Sequence, residues 1–276
     1  MGEDTVRHRA HRLSCNLAES YTVSLVQQNI SLILPAFNEA GRISGTIAEA
    51  VRYFQSRHYT YEIIVAADGD DGTREIVAGL RRDNPHLTVI GGPGRRGKGL
   101  GIREAVRLAT GSVIGYADAD NKVPIQEYDK CAPLLDAGCP IVIGSRAVEE
   151  SQIERAQPWY RRAGAKGFRI FMQNVTGLRS VSDTQCGFKF FQREVAVQLF
   201  TLQKIDGYMF DVEILLLARR LGLEIREVPI RWRDDGDSRL DLVRGNLRNV
   251  RDILRIRRDT RATVASPAAG ETVGRC

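Results

Sequence analysis

Short apolar segments that end in polar or glycine-rich turns recur along this chain and constrain its fold more than any other feature. Helical spacing follows the first three of them, before the next apolar segment begins. Five apolar runs are each long enough for one buried strand: residues 29–35, 61–67, 87–90, 112–114 and 140–146. This alternation predicts an α/β fold in which a mostly parallel sheet carries helices on both faces.

Local residues indicate where several of these elements end. Pro35 should stop the first strand, because proline cannot donate a hydrogen bond to a neighbouring strand. A glycine-rich basic loop at residues 91–99 precedes a helix expected at residues 100–109. Such a loop can bind phosphate through its backbone, or it can be a flexible surface turn. A final strand is expected at residues 224–232.

The two ends of the chain differ from its middle. Residues 1–28 lack sustained periodicity and are interpreted as an N-terminal tail before an α/β domain at residues 29–239. Residues 240–261 are expected to form an amphipathic basic helix, and residues 262–276, rich in small residues and proline, to be disordered. The apolar stripe of that helix comprises Leu240, Val243, Leu247, Val250 and Leu254. It predicts packing on the body of the protein, or contact with an anionic membrane surface.

The charge of the chain fits several kinds of partner. Its formal net charge of +6 suits nucleic acid, anionic lipid or phosphorylated ligands. No apolar stretch reaches the roughly eighteen residues of a membrane-spanning helix, and no signal peptide is expected. The five cysteines form no C-x-x-C pair, which favours reduced thiols and a cytoplasmic location.

Two carboxylates, Asp118 and Asp120, directly follow the fourth apolar run and are separated by one residue. Like charges at a strand end repel, and a divalent cation with a preference for oxygen ligands, such as Mg²⁺ or Mn²⁺, relieves that repulsion. An isolated Asp-x-Asp is more often a solvated turn, so the metal assignment depends on the rest of the chain.

Ordered motifs in both halves of the chain supply that context. The first half contributes three of them: residues 33–39, residues 66–73 and Asp118-Ala119-Asp120. The second half contributes four, at residues 144–147, 183–189, 210–213 and 236–240. Together they resemble glycosyltransferase family 2, which has the GT-A (Rossmann-like) fold. Within that family the resemblance is to the dolichyl-phosphate β-glucosyltransferases and polyprenyl-phosphate mannose synthases.

The resemblance implies a metal-dependent, inverting transfer of a hexose from a nucleotide sugar, UDP-glucose being favoured, to a polyprenyl or dolichyl phosphate. The residues implied for donor binding are Pro35, Phe37, Glu39, Ala66, Asp68, Lys98, Asp118, Ala119, Arg233 and Arg239. Asp118 and Asp120 would hold Mg²⁺ or Mn²⁺, and Arg146 and Gln185 would contact the acceptor phosphate. Asp120 and Asp183 are the catalytic candidates. Asp183 would be the base for a hydroxyl acceptor, or else a residue that only shapes a turn.

Alternatives remain open on the acceptor side and on activity itself. The same donor chemistry could serve a soluble hydroxyl acceptor, such as a secondary metabolite, or the chain could bind a sugar nucleotide without catalysis. A lipid acceptor would be met peripherally at the membrane, through the basic amphipathic segments at residues 155–172 and 240–258. Nucleic acid is not expected as a partner, because the carboxylates at the strand ends would repel its phosphates. Lys122 stands where some mannose synthases have glutamine, so a third metal ligand from the protein is not expected.

Overall fold

The structure, a computed structural model, describes residues 28–153, 159–233 and 244–265. The described strands are β1 (Asn29–Phe37), β2 (Thr60–Asp68), β3 (Leu87–Ile90), β4 (Val113–Ala117), β5 (Ile141–Ser145), β6 (Gln152–Ile153), β7 (Phe188–Gln192), β8 (Ile225–Pro229) and β9 (Arg231–Trp232). Within this part of the chain, seven of them form the central sheet in the order β3-β2-β1-β4-β7-β5-β8. The short strands β6 and β9 pair with each other beside it.

Helices cover both faces of the sheet. They are α1 (Ile43–Ser56), α2 (Thr73–Leu80), α3 (Lys98–Leu108), α4 (Tyr128–Asp136), α5 (Trp159–Thr176), α6 (Arg193–Leu202), α7 (Phe210–Arg220) and α8 (Arg244–Ala265). Buried side chains of α1 and α4 contribute to one apolar cluster, and those of α3, α6, α7 and α8 to another. Consecutive residues of β1 belong to different clusters: Leu32 to the first and Ile33 to the second. The mostly parallel α/β fold with helices on both faces is therefore confirmed.

The strand directions bring one end of several strands to a single edge. β4 runs parallel to β1 and antiparallel to β7, while β5 runs parallel to β8. The carboxyl ends of β1, β2, β4 and β5 therefore meet the beginning of β7. The strand order reverses between β1 and β4, which is where open α/β sheets bind ligands.

Three predicted boundaries differ from the structure. Pro35 does not stop β1, which continues to Phe37. Its missing N–H removes no hydrogen bond to β4, because β4 pairs with β1 only as far as Ile33. The strand expected at residues 224–232 is divided at Ile230 into β8 and β9, and β9 pairs with β6 instead of joining the main sheet. The helix after the glycine-rich loop begins at Lys98, two residues earlier than expected.

The buried face of α8 also differs from the predicted stripe. Ile253 and Ile256 are fully buried, whereas Leu254 is 53% exposed. The prediction that Leu254 packs on the body of the protein is therefore wrong. The stripe residues Leu240 and Val243 lie outside the described residues. The helix continues to Ala265, four residues into the segment expected to be disordered. Residues 266–276 lie outside the described part, as does the expected N-terminal tail except for its last residue.

Neighbouring substitutions in α8 test which face is buried. We expect Ile253→Ala to lower the free energy of unfolding by about 2–5 kcal/mol, because it removes a fully buried side chain. Leu254→Ala, the matched control one residue later, should change it by no more than about 0.5 kcal/mol. Urea denaturation measures both values, and equal losses would contradict the assigned face.

Candidate functional site

The first part of the site is a cleft at the ends of β1 and β2. The register pairs Pro35 with Ala66 and Phe37 with Asp68, so four of the expected donor residues lie together. The guanidinium carbon of Arg95, from the glycine-rich loop, lies 4.8 Å from the centre of the Phe37 ring. An aromatic ring beside a cation at a sheet edge suits the stacking of a base next to phosphate.

Asp68 fixes the glycine-rich loop against the end of β2. One carboxylate oxygen accepts hydrogen bonds from the backbone N–H groups of Arg96 and Gly97, at 2.9 and 3.3 Å. The other accepts from Nε of Arg96 at 2.9 Å, and the same guanidinium also binds Glu104. Asp68, one of the residues expected to bind the donor, therefore also anchors the loop. Glu39, another expected donor residue, donates its backbone N–H to Thr73 Oγ1 at 3.0 Å.

The turn that carries Asp118 and Asp120 is held by α1 and by the start of β7. Thr46 donates its hydroxyl to the carbonyl of Ala119 at 2.8 Å, inside the protein. Asn121 adopts a positive φ of 56°, and its side-chain amide donates to Glu49 at 2.6 Å. The turn is thus a rigid support for its two carboxylates.

Each of these carboxylates faces a lysine. Lys98 Nζ lies 2.6 Å from Asp118 Oδ1, and Lys122 Nζ lies 3.6 Å from Asp120 Oδ2. Burial and the neighbouring Asp118 charge raise the pKa of Asp120, against the opposing effect of Lys122. The charged form of Asp120 is therefore disfavoured by its surroundings, and a bound cation would stabilise it.

The oxygen donors of Asp118 and Asp120 fit a hard divalent cation such as Mg²⁺ or Mn²⁺. Within residues 28–153, 159–233 and 244–265, no cluster of three or more His, Cys, Asp or Glu side chains suited to a metal occurs. A two-carboxylate site is typical of Mg²⁺, which keeps several waters and takes its remaining ligands from substrate phosphates.

Gly187, the residue directly before β7, contacts the turn that carries Asp118. The backbone N–H of Asp118 donates to the carbonyl of Gly187 at 3.0 Å. A Cβ on Gly187 would lie 2.0 Å from a carboxylate oxygen of Asp118, so only glycine leaves room for that side chain. The site therefore depends on close approach between the two halves of the chain.

A buried ion pair lies behind this contact, and sequence reasoning assigned it no role. Lys189 is fully buried, and its Nζ lies 2.6 Å from Asp211 Oδ1. Tyr116, on β4, donates its hydroxyl to the same oxygen at 2.5 Å. Both charged residues belong to motifs noted in the sequence, at residues 183–189 and 210–213, so the signal was present. Their pairing depends on the positions of β7 and α7 in the fold, which the sequence motifs do not indicate.

The residues expected on the acceptor side form an ion pair with each other. Arg146 donates Nε and Nη2 to the two oxygens of Asp183, at 2.7 and 2.9 Å. Burial raises the pKa of Asp183, but the hydrogen bonds and charge of Arg146 outweigh it and leave that pKa below its usual value. The backbone N–H groups of Ser182 and Asp183 donate to Glu227, and that of Gln185 to Asp183.

A cationic edge surrounds Trp232. The guanidinium carbon of Arg146 and the ammonium of Lys122 lie 5.6 and 6.0 Å from the centre of its ring. The backbone N–H of Arg233 donates to the carbonyl of Lys122 at 2.9 Å. Lys122 therefore lies near both Asp120 and the ring of Trp232, which Arg146 also approaches. Sequence reasoning considered it only as a missing metal ligand, and the fold was needed to place it here. Arg239 lies outside the described residues.

The sequence model of glycosyl transferase family 2 matches residues 31–200. The chain belongs to glycosyltransferase family 2 and is a glycosyltransferase. It is 33% identical to the dolichyl-phosphate beta-glucosyltransferase of Drosophila melanogaster, over 82% of this chain and 74% of the relative. It is 30% identical to the enzyme of the same name from Saccharomyces cerevisiae, over 83% of this chain and 74% of the relative.

Solved structures share the fold at lower identity. Mannosyl-3-phosphoglycerate synthase from Rubrobacter xylanophilus aligns with a TM-score of 0.62 and 21% identity, covering 85% of this chain and 75% of the other. Glucosyl-3-phosphoglycerate synthase from Mycobacterium tuberculosis, in complex with Mn²⁺, UDP and glucosyl-3-phosphoglycerate, aligns with a TM-score of 0.58 and 21% identity. That match covers 95% of this chain and 87% of the other. Among the described helices of the present chain, none is both long and apolar enough to cross a bilayer.

Proposed function

We propose that the chain transfers glucose from a nucleotide sugar, with UDP-glucose favoured, to a polyprenyl or dolichyl phosphate. The observation that carries this proposal is the position of Asp118 and Asp120, between the cleft at Phe37 and the cationic edge at Trp232. One side suits a nucleoside and the other an anionic acceptor. Relatives named for this reaction match more than four fifths of the chain.

In the donor complex, Asp118 and Asp120 would hold Mg²⁺ or Mn²⁺ against the diphosphate. The cation would act as a Lewis acid that neutralises the charge developing on the departing nucleoside diphosphate. The turn that bears the carboxylates is fixed by Thr46 and Asn121, so their positions are set before the donor arrives. Preorganised charges of this kind require little reorganisation during the reaction.

The described contacts favour a phosphate acceptor over a hydroxyl acceptor. A phosphate monoester has a second pKa of about 6 and is largely dianionic at pH 7, so it attacks without a strong base. A hydroxyl needs a base, and Asp183 is the candidate. Asp183 is a poor one, because Arg146 occupies both of its oxygens and lowers its pKa. Direct attack opposite the leaving diphosphate would invert the α linkage of the donor to β.

On the acceptor side, Lys122 becomes the principal phosphate-binding residue in this proposal. Its ammonium lies near Asp120 and over Trp232, so it faces both the donor site and the cationic edge. Arg146 contributes positive charge there but not an open fork, since two of its nitrogens already bind Asp183. The roles of Gln185 and Arg233 as phosphate contacts remain predictions.

Helix α8 provides a surface for contact with a membrane, where a lipid acceptor would be located. Its arginines Arg248, Arg251, Arg255 and Arg258 are spaced three or four residues apart and share one exposed face. The exposed Leu254 lies on that face, and Asp252 lies 3.9 Å from the position of a Cβ on Gly207. Tyr208, the next residue in the chain after Gly207, has its ring 5.6 Å from the ammonium of Lys98. The arginine face of α8 therefore borders the candidate site.

Nucleotide release tests the donor and metal assignments. We expect wild-type protein to release UDP from UDP-glucose fastest when polyprenyl phosphate is present, and EDTA to stop the release. Asp120→Asn should lower transfer by about 10³-fold, as the loss of several kcal/mol of charge stabilisation implies. Asp83→Asn, a matched change on an exposed turn, should have no effect. Full activity in Asp120→Asn, or release that requires a soluble alcohol instead of the lipid, would contradict the proposal.

Acceptor kinetics test Lys122. We expect Lys122→Met to lower kcat/KM for polyprenyl phosphate by about 10–100-fold, since a hydrogen bond to a charged group contributes about 1.5–3 kcal/mol. The affinity for UDP, measured by calorimetry, should change little. Lys204→Met removes the same charge from an exposed loop and serves as the control. A loss confined to UDP affinity would place Lys122 on the donor side instead.

Vesicle sedimentation tests the arginine face of α8. Arg248→Gln/Arg251→Gln should weaken binding to phosphatidylserine-containing vesicles by about 30-fold, because each arginine near an anionic surface contributes about 1 kcal/mol. Arg81→Gln/Arg82→Gln, a matched pair in an exposed turn after α2, should leave binding unchanged. If the wild type binds neutral and anionic vesicles equally weakly, this surface does not serve the membrane.

A further inference from the structure

Lys98 is positioned so that it occupies one oxygen of Asp118. It is the first residue of α3, and its Nζ lies 2.6 Å from Asp118 Oδ1. The lysine side chain is 15% exposed and the aspartate side chain 40% exposed, so the pair is open to solvent on the aspartate side. A ligand that approaches Asp118 from solvent therefore meets a carboxylate already paired with a cation.

The backbone around Lys98 is fixed on both sides. The N–H groups of the two preceding residues donate to Asp68, and the N–H of Leu100 donates to the carbonyl of Asp206 at 3.1 Å. Gly97 has no room for a Cβ, which would lie 2.3 Å from the same Asp206 carbonyl. The rings of Tyr208 and Phe210 lie 5.6 and 5.9 Å from the ammonium. Only the flexible part of the lysine side chain can move when its partner changes.

An ammonium and a divalent cation cannot share this oxygen. A carboxylate oxygen lies about 2.0–2.1 Å from Mg²⁺, and a second cation at hydrogen-bond distance from that oxygen would be repelled strongly. A metal ion that binds Asp118 through Oδ1 must therefore displace Lys98. A diphosphate brings two or more negative charges to the same edge and offers the displaced ammonium a new partner.

We propose that Lys98 is an internal cation that competes with the divalent metal for Asp118 and moves to the donor diphosphate when the nucleotide binds. This inference rests on the proposed metal site at Asp118 and Asp120. It predicts that the metal alone binds weakly and that metal and nucleotide strengthen each other's binding. Because binding free energies are linked, the coupling acts equally in both directions.

Mn²⁺ binding, followed by electron paramagnetic resonance of the free ion, tests the exchange without measuring activity. Without nucleotide, Lys98→Met should bind Mn²⁺ at least about tenfold more tightly than wild type, because the competing charged partner is gone. With saturating UDP, the tightening of Mn²⁺ binding should be smaller than in wild type by a similar factor. Lys98→Gln, a second neutral variant, should behave alike, and thermal denaturation checks that both are folded.

Two controls separate this inference from the proposed function. Lys204→Met removes one positive charge outside the site and should leave Mn²⁺ affinity unchanged. Asp120→Asn should abolish Mn²⁺ binding; if it does while Lys98→Met binds Mn²⁺ no better than wild type, only the role of Lys98 is overturned. If wild-type protein binds no Mn²⁺ even with UDP, the metal site and the exchange are both overturned.

Discussion

The pairing of β4 with two neighbours of opposite direction is the interaction on which the rest of the site depends. β4 lies parallel to β1, which ends in the nucleoside-type cleft, and antiparallel to β7, which begins after Asp183. Asp118 extends this pairing by one bond, from its N–H to the carbonyl of Gly187. Residues proposed for donor binding, from the first half of the chain, therefore meet residues proposed for acceptor binding, from the second half, at a single strand end.

Charge at this edge is balanced before any ligand arrives. Five carboxylates of the candidate site each lie beside a basic side chain. The pairs are Asp68 with Arg96, Asp118 with Lys98, Asp120 with Lys122, Asp183 with Arg146, and Asp211 with Lys189. The pairs limit the unfavourable burial of like charges. They also mean that a ligand must exchange partners within the site, not simply fill an open space.

The sequence predicted what depends on local pattern and on motifs. The strand–helix alternation, the end of β4 at its two carboxylates and the family all follow from residues that lie near each other in the chain. Features that depend on packing did not follow. Ile253 and Leu254 are adjacent and similarly apolar, and the positions of α5 and α7, which pack against α8, decide which of them is buried. Arg146 and Asp183 were given separate roles, since they lie 37 positions apart in the chain and nothing local indicates their bond.

The absence of space at Gly187 constrains how a sequence of this kind can change. Any larger residue there would occupy the volume of the Asp118 carboxylate, although the two positions are separated by most of the middle of the chain. A larger residue at position 187 would therefore force the Asp118 carboxylate out of its position beside Lys98. Position 187 therefore controls where the Asp118 carboxylate lies, although it contributes no side chain to the candidate site.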